Sequence, residues 1–123
     1  MLTELNHIKQ QEDGKTRRWF SDNDFDLIVW FEENNDIHGF QLCYDKKRIE
    51  HSLTWRIKNG FTHEKIDDGE HEPLSYKKSP IMIAAGKFDI DRVLNQFRTK
   101  STEIDKEIVW FVTNKIVVLS GSN

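Results

Sequence analysis

Apolar and polar residues alternate through FDLIVWFEENNDIHGFQLCY, Phe25 to Tyr44, and a polar break at Asn34 and Asn35 splits the stretch into two strands folded on each other. Strand side chains alternate between the two faces of a sheet, so this hairpin has two distinct sides. With the asparagines as the loop, Phe25 faces Tyr44, Leu27 faces Leu42 and Val29 faces Phe40 on one side. Asp26 faces Cys43, Ile28 faces Gln41 and Trp30 faces Gly39 on the other. The first side reads as core and the second, mixed in character, as a working surface. Asparagine tolerates the positive φ angles that a tight two-residue turn demands, and a longer loop of the same parity would keep the faces.

The same alternation recurs on either side. Asp13-Gly14 predicts a hairpin joining residues near 5–12 to 15–20, and Ser21 to Asp24, SDND, predicts the next turn. Asp45 to Arg48 interrupts the apolar pattern before HSLTWRIK runs into Asn59-Gly60. Taken as a two-residue loop, Asn59-Gly60 sets Leu53 against Ile66, Trp55 against Glu64 and Ile57 against Thr62 on the apolar side. Arg56 then meets His63, and Thr54 meets Lys65, on the polar side. Asp68-Gly69 closes that strand, residues 70–78 with Pro73 read as a surface loop, and Pro80 opens a short edge strand.

From Asp89 the period lengthens. Ile90, Val93, Leu94 and Phe97 recur at the spacing of one helix face, with Asp89 as cap and an end near Thr99 or Lys100. The last segment, STEIDKEIVWFVTNKIVVL, sets Ile104, Ile108, Phe111, Val112 and Ile116 on a helical stripe capped by Ser101. Its β-branched content and Thr113-Asn114 also permit two short strands, and helix is the favoured reading. The whole, residues 1–123, reads as a single α+β domain: an antiparallel meander sheet of about five to six strands with two C-terminal helices packed on one face.

Composition narrows the function. A chain of 123 residues suffices for one core, and a charged fraction of 32% with a net charge of −3 reflects mixed signs rather than a polycation, which argues against nucleic acid. Cys43 is the single cysteine, so no internal disulfide forms; with no long apolar run and no signal-like start, a cytoplasmic location is expected, without a membrane partner. The segments RRWF, FDLIVWF, GFQLCYD and LTWR, followed by a helical C-terminal part, resemble a small family of uncharacterised bacterial proteins. The resemblance implies a bacterial cytosolic protein and brings no assigned activity.

Candidate chemistry is sparse. Asp22, Asp24 and Asp26 form D-x-D-x-D with Glu33 at an EF-hand-like distance, yet Leu27 stands where the loop glycine belongs and the residues after it are strand-like. The five histidines, His7, His38, His51, His63 and His71, lack zinc-site spacing, and the Asn59-Gly60 register sets His51 and His63 on opposite faces, so neither a metal nor a cofactor is expected. Cys43 within a strand reads as a small buried hydrophobe rather than a nucleophile. Arg17, Arg18, Trp19 and Phe20 form a basic aromatic patch whose charge the nearby aspartates offset. No glycine-rich phosphate loop is present.

What remains is the second sheet face, with Trp30, Arg56, His63, Gln41 and Ile28 as binding residues beside Cys43 and Thr54. Aromatic and arginine side chains dominate binding hot spots, so the leading expectation is a non-enzymatic binding or accessory domain presenting this face to a protein partner or a second copy. The alternative is a small-molecule binder or enzyme with His63 as acid or base, Arg56 as anion clamp and Asp26 nearby.

Overall fold

The computed structural model describes residues 1–6, 15–47, 50–65, 79–80 and 90–119. Seven strands follow one another in space as they do in sequence: β1 (Thr3–Glu4), β2 (Thr16–Ser21), β3 (Phe25–Phe31), β4 (Ile37–Tyr44), β5 (His51–Arg56), β6 (Gly60–Lys65) and β7 (Ser79–Pro80). All neighbours are antiparallel, so β1 to β6 form the expected meander and the two-residue β7 extends its edge. Two helices complete the α+β fold, α1 (Ile90–Lys100) and α2 (Lys106–Leu119). The Asp13-Gly14 and Asp68-Gly69 turns, the Pro73 loop and the Asp89 cap lie outside the described residues. What is described of the first hairpin is Thr3 against Ser21 and Glu4 against Phe20, continued by a bond from Leu5 N–H to the Trp19 carbonyl.

The core lies between the helices and the first sheet face. Phe20, Phe25, Leu27, Val29, Phe40, Leu42 and Leu53 of the strands join Val93, Leu94, Phe97, Ile108, Val112 and Ile116 of the helices in one buried cluster. Phe25 meets Phe97 edge to face at 6.3 Å, and Phe111 reaches Phe40 at 6.5 Å and Trp55 at 5.4 Å. Fully burying one such side chain is worth about 1.5–3 kcal/mol, so this cluster is the main force holding helices to sheet. Ion pairs brace the margin: Arg18 grips Glu4 through two 2.8 Å bonds and reaches Asp105 at 2.9 Å, just before α2.

The C-terminal segment is helical, but Ser101 is not its cap. Ser101 is buried in the turn between the helices, and α2 starts where the Asp105 carbonyl accepts bonds from Ile108 and Val109. Ile104, which the helical stripe would have included, fills that turn as a buried residue.

The hairpin loops at Asn34-Asn35 and at Asn59-Gly60 both depart from the two-residue turn. In the first, Asn35 N–H bonds the Glu32 carbonyl and Asn35 alone takes a positive φ, 73°. This is a three-residue loop with a left-handed third residue. The expected pairing holds from Phe25–Tyr44 to Trp30–Gly39, after which a bulge at His38 lets Phe31 pair with Ile37, both apolar and both against the core. In the second loop, Asn59 N–H bonds the Arg56 carbonyl and Gly60 carries the positive φ, also 73°. Arg56 therefore pairs with Gly60, Trp55 with Phe61 and Leu53 with His63, not with the partners the Asn59-Gly60 turn implied. Ile57 is displaced into the turn and left 64% exposed, while Phe61 gains the aromatic cluster at 6.1 Å from Phe40. Exchanging a buried isoleucine for a larger aromatic surface favours the observed register.

Candidate binding surface

The second sheet face is assembled by three rows running across the strands. At one end Arg17, Trp30, Gly39, Arg56 and Gly60 are consecutive register partners; next come Trp19, Ile28, Gln41, Thr54 and Thr62; then Ser21, Asp26, Cys43, Ser52 and Glu64. Four of the five expected binding residues, Trp30, Arg56, Gln41 and Ile28, share this face. His63 does not. The shifted β5–β6 register carries it to the helix side, and with it fails the expectation that His51 and His63 lie on opposite faces.

The sharpest geometry is in the first row. Gly39 separates Trp30 from Arg56, and without a side chain there the guanidinium lies over the indole, 4.1 Å from its centroid. Trp30 is 8% exposed and Arg56 is exposed, so the tryptophan acts as a platform and the arginine as the part presented. Stacking on a π face leaves the edge of the guanidinium, with its N–H donors, unspent. Arg18 is engaged with Glu4 and Asp105, and Arg92 with Asp45 through bonds of 2.9 and 3.1 Å. Arg56 has no carboxylate partner among the described residues.

One row in, the indole Nε1 of Trp19 is shielded from solvent and without a hydrogen-bond partner among the described residues. Gln41 and Thr54 are loosely joined at 3.5 Å, and Gln41 Nε2 donates to Cys43 Sγ at 3.4 Å. Burial pushes the Cys43 thiol up to about 11, against the weaker lowering effect of that Gln41 bond, so the thiolate is scarce at neutral pH. In the third row Asp26 accepts from Ser21 at 2.5 Å and from Lys46, outside the row, at 3.0 Å. Burial, with the Asp26 charge behind it, raises the Glu50 carboxyl above its ordinary range.

The D-x-D-x-D run is spent on three separate tasks. Asp22 Oδ1 accepts from the backbone of Asp24 at 2.7 Å and Phe25 at 2.8 Å, Asp24 pairs with Lys100, and Asp26 pairs with Lys46. Burial favours the neutral form of Asp22, yet those two N–H donors, the Met1 ammonium and Lys100 outweigh it and lower its pKa. No group of three or more potential metal ligands comes together among the described residues.

On the helix side the rings of Tyr44, His51 and His63 form a near-parallel stack with centroids 5.2–6.0 Å apart. Tyr44 Oη lies 2.5 Å from His63 Nε2. Desolvation first, and the charge of His51 second, push His63 down to about 4, so its ring is neutral at physiological pH and the tautomer of that ring sets the direction of its bond with the Tyr44 hydroxyl. A cleft of about 390 Å³ opens elsewhere, between α1 and the turns at Asp24 and Asp45, but its cations Arg92 and Lys100 are already paired with those aspartates.

Comparison with family models, curated proteins and solved structures finds no match. Function therefore rests on the residues. Sequence patterning missed that Arg17 and Trp19 belong to the surface while Arg18 and Phe20 turn to the other side, where Arg18 sits 5.3 Å over the Phe20 ring. The signal was available in the strand alternation of RRWF, which separates neighbours that look like one patch.

Proposed function

We propose that this chain is a non-enzymatic binding domain whose working surface is the second sheet face, with Arg56 on its Trp30 platform as the anchor for an acidic side chain of a protein partner. The observation that carries the reading is the stacked, exposed guanidinium, which has no carboxylate of its own among the described residues. A planar fork held in place loses little entropy on taking up a bidentate carboxylate, and the half-buried Trp19, Ile28 and Gln41 supply the less polar surround that excludes water from such a pair. No helix among the described residues is long and apolar enough to cross a membrane.

The enzyme alternative placed His63 and Arg56 in one site, with Asp26 nearby. His63 is on the opposite face, and Asp26 is two rows from Arg56 and paired with Lys46, so that constellation does not assemble.

The test is affinity purification from native cells with wild type, Arg56→Ala and Arg56→Lys side by side. Because Arg56 is exposed, both variants keep the fold. A partner retained by wild type, weakened roughly tenfold or more by Arg56→Ala and not rescued by Arg56→Lys is the expected result. Equal recovery by all three sinks the proposal.

A further inference from the structure

Asn59 and Gly60, where β5 turns into β6, are both exposed. The Asn59 main chain is tied by its N–H to the Arg56 carbonyl at 3.1 Å, whereas its side-chain amide is bonded to no described residue. A Cβ built on Gly60 meets nothing within 4 Å, so open space surrounds the peptide bond that joins the two. We infer that Asn59 is a site of spontaneous covalent modification, converted through a cyclic imide to aspartate and isoaspartate in the turn that carries Arg56.

The conversion balances with water alone. The Gly60 nitrogen loses its proton and attacks Cγ of Asn59; the new N–Cγ bond closes a five-membered imide, the Cγ–Nδ2 bond breaks, and Nδ2 takes up a proton and leaves as ammonia. Water then opens the ring at either carbonyl. Opening at Cγ leaves aspartate on the original main chain. Opening at the main-chain carbonyl leaves isoaspartate, in which the chain reaches Gly60 through Cβ and Cγ.

Other described asparagines are better guarded. Asn34 is bonded through both ends of its amide, Nδ2 to Asp36 Oδ2 at 3.1 Å and Oδ1 from Asp36 N–H at 3.0 Å. Asn95 and Asn114 lie within α1 and α2, where the next N–H is committed to the helix ladder, and Asn114 also donates to the Trp110 carbonyl at 2.7 Å. Asn6, Asn23 and Asn35 precede His7, Asp24 and Asp36, whose side chains crowd the attacking nitrogen. Glycine brings no such side chain. Gly60 also opens β6 as the last partner of Arg56, so its N–H sits at the ladder end, where opening costs least.

The two products act differently on the turn. Aspartate adds a charge at an exposed position. Isoaspartate lengthens the main chain by one carbon between Arg56 and Gly60, which are register partners, and so loosens the row in which Arg56 stacks on Trp30. None of this depends on what Arg56 binds.

The experiment is peptide mapping by mass spectrometry on the full chain held for several weeks at pH 5.5, 7.5 and 8.5, beside Asn59→Gln and Gly60→Ala. Conversion at position 59 exceeds that at every other described asparagine by about tenfold or more, and Gly60→Ala slows it by a similar factor. It rises with pH, because the attacking nitrogen must shed its proton. Asn59→Gln, an exposed change that keeps the fold, stays unmodified at that position, since its ring would be one atom larger. Hydrogen exchange then compares the isoaspartyl chain, isolated by ion exchange, with Asn59→Asp: the Arg56 and Gly60 amides exchange faster in the isoaspartyl chain. Asn59 left intact at every pH, or converted only when the chain is unfolded in urea, overturns the inference. Conversion indifferent to pH or to Gly60→Ala overturns the cyclic route, and equal exchange in the two products overturns the loosened row.

Discussion

A Cβ on residue 39 would lie 2.8 Å from the Trp55 carbonyl oxygen and 3.1 Å from Cε3 of Trp30, with Cγ of Arg56 at 3.4 Å. The first contact is to backbone, which cannot turn aside, and the second is to the platform of the proposed anchor. Gly39→Ala therefore acts twice. It forces β4 and β5 apart, at a cost of about 1–3 kcal/mol by the general scale of overpacking, and it lifts Arg56 from Trp30. Urea denaturation should show the loss of stability, and the fluorescence of Trp30, no longer under the guanidinium, should change in the folded state. If Gly39→Ala is as stable as wild type, the close approach of strand and indole described here is wrong. Arg56→Ala, by contrast, should leave stability within about 0.5 kcal/mol, the usual range for exposed positions, so the pair separates what position 39 does for the fold from what position 56 does for binding.

At the level of elements, the β3–β4 and β5–β6 hairpins each use a tight turn followed by one left-handed residue, filled by Asn35 in one and Gly60 in the other. Nothing lies within 4 Å of a Cβ built on Gly60, so replacing it tests backbone conformation alone. Gly60→Ala should cost about 1 kcal/mol and Asn35→Gly should change stability little or gain a few tenths, read as shifts in the urea midpoint. If Gly60→Ala proves neutral, the loop has moved to another turn type. The same two loops explain what could be seen in advance. Pairing from Phe25 to Trp30 was legible because Phe25, Leu27 and Val29 face Tyr44, Leu42 and Phe40 in an unbroken alternation, and slipping one strand by one residue would turn its three apolar side chains outward. In β6 the residue pattern is GFTHEK, where Phe61 is the one large apolar side chain, so either parity satisfies the pattern and the turn alone decides. Asn59-Gly60 correctly marked a turn; that glycine serves as the left-handed residue after the turn, rather than inside it, was not written in the alternation. The consequence reached the candidate site, because His63 changed face with the whole strand.

For the molecule as a whole, that change of face gives stability a pH dependence with a definite sign. His63 has a folded pKa near 4, below its ordinary 6.5, because the ring is desolvated beside Tyr44 and His51. Between those values the unfolded chain binds a proton that the folded chain refuses, so the contribution is fully present above about 6.5 and is lost as pH falls toward about 4. The ring is only half-buried, and after allowance for solvent screening the loss is about 1 kcal/mol, well short of what the full shift implies. Other groups titrate nearby in separable ways. Asp22 and Glu4, the latter held down first by its Arg18 bonds, have lowered pKa values and stabilise the fold until the pH drops below the ordinary carboxylate range. Glu50, raised by burial, runs the opposite way and favours the fold when protonated. The comparison that isolates His63 is therefore wild type against His63→Gln, which keeps a partner for the Tyr44 hydroxyl but carries no titratable ring. Urea midpoints at pH 7.5, 5.5 and 4.5 should fall more steeply for wild type than for the variant, and parallel curves would mean that His63 takes up its proton in the folded state as readily as in the unfolded chain.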